Sequence, residues 1–418
     1  MAGVIRLAPA DAFPPTDTDS HPLPGESVPD ASWNAATLAM DHPSVTATPP
    51  SPRPPAAGSP RPLGDRLVCR PGLFRLLLAA CVVVSHASNL EVGRIAVLLF
   101  FVLSGYWVYD IWTARFGRDR TALFYASRYL RVAPLYLVGL TLAAVLTGFD
   151  VGLVNYAILG AANARVDPLW VSWSLDVELQ FYLLLPLLAA LMETEPQAFP
   201  ALTGIAALCG WLLYWRTGVV EIFQYLPAFA AGMLIRRHAW DPGRRVALVS
   251  LAAFVLLTLA LFLSDEGLPY LLKDRPHLVN RDLFAFAWMI PLLPYLAHAL
   301  AQPSGALDRH LGNLSYPLYI SHPAVMTLFT VLTPHKTLTL KLACLAAILS
   351  ATVALYAFVD RPCERARGLA ERCLRRRLDR RSERGPPAHS GATPSLSVTT
   401  PAVIRGDREE APHRSLTG

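Results

Sequence analysis

The stretch FRLLLAACVVVSHASNL, residues 74–90, is apolar almost throughout, yet it carries Arg75 near its start and His86 near its end. Read with its flanks as a helix over 72–91, it has about the length that crosses a bilayer. Eleven residues separate Arg75 from His86. That is about three helical turns, so both side chains leave one face, roughly 16 Å apart along the axis. One face of one membrane helix therefore holds a fixed positive charge low down and a titratable imidazole higher up.

The rest of the chain extends this pattern. Of 418 residues, 53% are hydrophobic and 16% charged, where a soluble domain carries about a quarter charged residues. The apolar residues come in blocks of membrane-helix length. Spans are predicted at 72–91, 93–112, 132–148, 170–192, 199–216, 222–235, 246–263, 283–301, 311–332 and 338–359. The fold class expected is all-α: a polytopic membrane protein of about ten transmembrane helices. A shorter apolar patch at 151–162 is expected to lie at the interface or to re-enter. Alternate connections carry Arg115, Arg118, Arg120, Arg128 and Arg131, then Arg236, Arg237, Arg244 and Arg245, then the arginines after residue 365. By the excess of positive charge on cytoplasmic loops, both termini are expected in the cytoplasm and the protein in the cell inner membrane.

Residues 1–62 are rich in Pro, Ser, Thr and Asp and hold no long apolar run. They bury too little to offset chain entropy and are read as a disordered tail. A transmembrane domain is expected over 65–365, and residues 366–418 form a basic cytoplasmic tail that begins as a short helix. Only three of the basic residues are lysines (Lys273, Lys336 and Lys341), which with abundant Ala and Pro suggests a GC-rich bacterial genome. The six cysteines form no CxxC pair and no His/Cys cluster, so neither a disulfide framework nor a metal site is expected. No nucleic-acid partner is expected; the bilayer is.

Polar groups at membrane depth are costly and usually face a cavity. Counted along their spans at about 1.5 Å per residue, His86, Ser104 in FFVLSGYWVY, Glu178 in WSLDVELQFY and His322 in SYPLYISHP share the central and outer-central layer. Asp176, nearer the outer edge, is read as hydrated. Ser104–Gly105 also fits a close helix-packing contact. Arg128 and Arg131, taken alone, fit ordinary positive-inside residues. A transporter would collect polar groups at the midplane too, but neither an inverted repeat nor paired Gly/Pro-broken spans are visible.

These residues resemble the motifs of the bacterial acyltransferase-3 family, whose members O-acylate cell-surface glycans and some macrolides. The family's first helix carries an arginine, ten residues and a histidine, as at Arg75 and His86. Its second reads FFVLSG, matched at 100–105. An F-x-x-x-R-x-x-R-x-x-P pattern follows at Phe124 to Pro134, W-S-L-x-x-E-x-Q-F-Y at Trp173 to Tyr182, and G-x-x-S-Y-x-L-Y-x-x-H at Gly312 to His322. The likeness covers residues 65–365 and takes the stand-alone form, with no esterase domain after the last span. Many relatives carry an acid just before FFVLSG, where this chain has Leu98–Leu99, so that carboxylate is not available here.

The resemblance implies an O-acyltransferase moving an acyl group, most simply acetyl, from cytosolic acyl-CoA to a hydroxyl of a cell-surface or exported carbohydrate or lipid-linked glycan. Acylation of a macrolide or other natural product is the second reading. Acyl-CoA is a co-substrate, and no bound cofactor or metal is implied. Arg75, Arg128 and Arg131 suit its phosphates, because guanidinium grips phosphate oxygens bidentately. His86 is expected to be the general base, with Glu178 as its partner or orienter. Ser104, Tyr316 and His322 are expected to contact substrate or the oxyanion. Direct transfer and an acyl-enzyme both fit these residues.

Overall fold

The computed structural model describes residues 70–148, 150–332 and 337–383, with side chains as far as Leu374; the expected disordered tail at 1–62 lies outside them. The helices are α1 Pro71–Ala87, α2 Val92–Ile111, α3 Thr121–Thr147, α4 Leu153–Ala157, α5 Ser172–Thr194, α6 Phe199–Thr217 and α7 Ile222–Arg237. They continue with α8 Gly243–Leu263, α9 Leu268–Leu271, α10 Arg281–Met289, α11 Leu293–Ala301, α12 Ala306–Leu332, α13 Leu338–Leu355 and α14 Arg361–Glu383. The described residues are all helix and connection, apart from one isolated bridge between Leu90 and Leu272.

Each of the ten apolar blocks read from the sequence coincides with helix. Six helical stretches among the described residues are long and apolar enough to cross a membrane: Val92–Phe116, Arg118–Thr147, Ser172–Thr194, Gly243–Leu263, Arg281–Ala301 and Leu338–Leu374. Two readings differ from expectation for identifiable reasons. Helix α3 begins at Thr121 rather than 132, because Arg128 and Arg131 are not loop charges. Arg128 is buried, and Arg131 pairs with Asp360 at 2.8 Å. The 283–301 block is split into α10 and α11 by a 3-10 turn at Ile290–Leu292, where Pro291 and Pro294 deny the backbone two amide donors. The patch at 151–162 folds as α4 and a 3-10 turn, with Leu153 exposed and Ile158 wholly buried.

Helix α2 is the axis of the bundle. It packs on α1, α5, α7 and α10, and most of its residues are buried. Helices α8 and α13 bury only two residues each and turn apolar side chains outward nearly all round, as lipid-facing helices do.

Small residues set the spacing inside. A Cβ on Gly105 of α2 would stand 2.1 Å from the Phe229 carbonyl oxygen, and one on Gly232 of α7 would stand 1.9 Å from that of Val102. Backbones meet there with no room for a methyl group, as at small-residue crossings of membrane helices. Helices α1 and α12 approach in the same way, with Gly312 facing Gly72. Gly232→Ala and Gly105→Ala are each expected to push α2 from α7 and cost about 1–3 kcal/mol. A lowered Tm of the purified protein in detergent would show it; two variants melting with the parent would contradict so close a crossing.

Candidate active site

The site starts from the way α1 is held. Its first turn has free amide groups, and Pro71 stands at its start. Asp308, on α12 and wholly buried, accepts from the Gly72 amide at 3.1 Å and the Leu73 amide at 2.8 Å. Ser304 donates to the same carboxylate at 2.6 Å. A negative charge at a helix N-terminus also meets the positive end of its dipole. The cap fixes α1 against α12, and Arg75 follows within the next turn.

Arg75 opens onto a cavity of about 320 Å³ bounded by α1, α2, α3, α5, α12 and α14. Its walls carry five arginines (75, 115, 128, 131 and 367) against two glutamates (178 and 364). In a low-dielectric interior such an excess favours an anionic occupant. The arginines are not equivalent. Arg131 bonds Asp360, lies 3.8 Å from Glu364 and rests on the Tyr316 ring at 5.5 Å. Arg75 and Arg128 have no carboxylate in salt-bridge range among the described residues. Arg75 sits over the Trp107 ring at 5.0 Å, and Arg128 reaches only Ser127 Oγ, at 3.3 Å. The Nε of each is buried without a hydrogen-bond partner.

Deeper in the cavity, Ser104 Oγ and Tyr182 OH both donate to Glu178 Oε1, each at 2.6 Å. Tyr182 is one turn after Glu178 on α5, so the pair shares a face. Tyr319 lines the same cavity, with its hydroxyl 2.6 Å from that of Ser174 and its ring 6.0 Å from His322.

Beyond Tyr319 stands the histidine pair, which does not line the cavity. The rings of His86 and His322 are 5.3 Å apart, and Trp170 is 6.1 Å from His86. His322 is wholly buried, with Nδ1 3.1 Å from the Leu318 carbonyl. A carbonyl only accepts, so Nδ1 carries the proton and Nε2 presents a lone pair. That Nε2 has no hydrogen-bond partner in the protein. His86 is exposed at the end of α1. Trp170 holds a φ of +55°, a conformation costly for a bulky side chain. Asp167 sustains it by accepting from Ser172 Oγ at 2.7 Å and from the amides of Leu169 at 3.0 Å and Ser172 at 3.1 Å.

Several sequence expectations are thereby corrected. Glu178 bonds Ser104 and Tyr182, not His86. The Tyr316 hydroxyl donates to the Val132 carbonyl at 2.7 Å, and its ring, in the cavity wall, lies 5.5 Å from the Arg131 guanidinium. Asp176 is not hydrated but wholly buried, taking the Ala162 amide and the Gln180 amide group, each at 2.9 Å. The expected break at 365 falls inside α14, whose Glu364 and Arg367 belong to the cavity wall. Tyr182 and Trp107 were detectable as neighbours of Glu178 and Ser104 on their helix faces; Asp308 and Arg367 carried no local signal.

The acyltransferase-3 family profile, described as an acyltransferase domain, matches residues 71–359. The chain is similar to nodulation protein 10 of Rhizobium leguminosarum bv. viciae, at 27% identity over 308 residues that cover 61% of this chain and 82% of that protein. No solved structure matches.

Asp308→Ala is expected to strand two buried amides and cost about 1–2 kcal/mol. Hydrogen exchange should speed up at Gly72 and Leu73 more than along α2. Unchanged protection there would mean that packing alone holds α1.

Proposed function

This chain belongs to the acyltransferase-3 family, its acyltransferase domain spanning residues 71–359, and on that premise we propose that it moves an acyl group from acyl-CoA, seated in the arginine-lined cavity, to a carbohydrate hydroxyl. Family membership makes it a multi-pass membrane acyltransferase and removes the transporter alternative. The donor, the acetyl group and the carbohydrate acceptor are this proposal's content. The observation that carries it is the arginine-lined cavity, which runs from Arg115, Arg128 and Arg367 to Tyr319, whose ring neighbours His322 of the histidine pair.

In this reading the arginine end faces the cytosol, where acyl-CoA is found. Arg75 and Arg128, lacking carboxylate partners, take the donor's phosphates, while Arg131 divides its charge between donor and Asp360. The thioester arm lies along Ser104, Glu178 and Tyr182 with its carbonyl at Tyr319. The acceptor enters from the opposite face, beside exposed Trp170 and His86. Its hydroxyl oxygen attacks the thioester carbon as His86 removes the proton. The carbon–sulfur bond breaks, and the departing thiolate recovers the proton as CoA. His322 stands behind His86 with its Nε2 lone pair available to the imidazolium that forms. Glu178 orients Ser104 and Tyr182 around the thioester. A macrolide or other natural product could present the same hydroxyl by the same route.

The kinetic test separates the two ends. His86→Ala is expected to abolish turnover while donor affinity is kept, and His86→Gln, polar but not basic, is expected to be equally inactive. Arg128→Ala is expected to raise the KM for acyl-CoA about tenfold or more, the worth of lost charge-assisted hydrogen bonds. Parental turnover in both His86 variants, or an unchanged donor KM in Arg128→Ala, would remove the corresponding role.

Sidedness is tested with single cysteines in a chain cleared of its native ones. Leu278 is fully exposed in the α9–α10 connection, and Asp119 is exposed between α2 and α3. Leu278→Cys should react with an impermeant thiol reagent in intact cells and Asp119→Cys only after lysis. The reverse pattern would put the arginine end on the wrong side for acyl-CoA.

A further inference from the structure

Helix α14 lies wholly beyond the matched domain, which ends at residue 359, yet its Glu364 and Arg367 are built into the cavity wall. Arg367 Nη1 bonds Glu371 at 2.9 Å and Ser127 Oγ at 3.3 Å. That same Ser127 oxygen takes Arg128 Nη2 at 3.3 Å and bonds the Glu371 carboxylate. One hydroxyl on α3 thus joins the buried arginine of the main cavity to the arginine of α14. Arg367 Nε is itself buried without a partner.

On the outer side of this junction is a second cavity of about 210 Å³, lined by Arg115, Phe116, Arg367, Gly368, Glu371 and Arg372. It shares Arg115 and Arg367 with the main cavity. Three guanidinium groups and an aromatic wall are the chemistry of a phosphorylated nucleoside site. Arg367 and Ser127 hold Glu371 through one oxygen, so the lining sets three guanidinium groups against one carboxylate and stays net positive, and the second carboxylate oxygen suits a ribose hydroxyl. Gly368 keeps the wall open: a Cβ there would meet only Arg372 Nη1, at 3.6 Å.

We propose that this second cavity seats the phosphorylated nucleoside end of the donor, so that α14 is part of the donor-binding machinery and not a tail. The proposal rests on the acyl-CoA reading above. In it the pantetheine arm threads past Arg128 into the main cavity, while the ribose 3′-phosphate stays outside against Arg367 and Arg372.

The test uses the full chain in nanodiscs and three probes: CoA, 3′-dephospho-CoA and 4′-phosphopantetheine. The unaltered protein is expected to bind CoA about tenfold or more tighter than 3′-dephospho-CoA, as charge-assisted phosphate bonds are worth. Arg367→Gln should erase that preference, which a merely structural loosening of α14 would not do, since it would weaken both ligands alike. Gly368→Leu, a good helix former, should fill the cavity and weaken CoA while leaving 4′-phosphopantetheine unaffected. Parental preference in Arg367→Gln together with parental CoA affinity in Gly368→Leu would overturn the subsite alone. Equal binding of CoA and 3′-dephospho-CoA by the unaltered chain would overturn it too, as expected if a lipid phosphate occupies the arginines. Failure of the unaltered chain to bind CoA at all would overturn the donor reading, and the subsite with it.

Discussion

Guanidinium groups held inside an apolar bundle are the constraint around which the rest of this structure is arranged. An unpaired charge in such a place is expensive, and each arginine at the cavity meets the expense differently. Arg131 has a carboxylate, Arg75 has an indole face, and Arg128 has one hydroxyl. Removing one partner of such a buried pair costs more than the pair contributes, so Arg131 and Asp360 tie α3 to the segment leading into α14. The two less satisfied arginines are the ones with most to gain from an anionic ligand.

The same bundle keeps its polar layer rigid through backbone contact rather than side-chain bulk. Gly105 follows Ser104 on α2, so the residue that brings α2 against α7 stands next to the one that reaches Glu178. Packing and chemistry use adjacent residues of one motif, which is why FFVLSG reads equally well as a crossing point and as a site. The Asp308 cap acts likewise on α1: it satisfies the helix start and thereby sets where Arg75 stands.

At the opposite end stand two neighbouring imidazoles. His322 is locked as one tautomer by the Leu318 carbonyl, His86 is open to the outside, and Tyr319 closes the cavity beneath them. The strained backbone of Trp170, maintained by Asp167, places a second ring at His86, and such strain persists only where the surroundings enforce it.

Sequence alone determined the class of this protein and where its helices lie, because these depend on composition and on apolar runs of helical length at a rise of about 1.5 Å per residue. The spacing of Arg75 and His86 belongs to that local geometry, and both do end up at opposite ends of one helix. Tertiary structure alone decided which face meets which neighbour. It assigned Glu178 to Ser104 and Tyr182 instead of His86, spent the Tyr316 hydroxyl on a carbonyl, and buried Asp176. It also paired Arg131 with Asp360, 229 residues away, and brought Arg367 to the mouth of the cavity. Helical periodicity says how far along an axis a side chain lies but not how that helix is rotated against helices distant in the chain. Those contacts are fixed by packing around glycine crossings and by the need to partner buried charge; a motif can mark a crossing point, as at Gly105, but the partner lies far away in the chain.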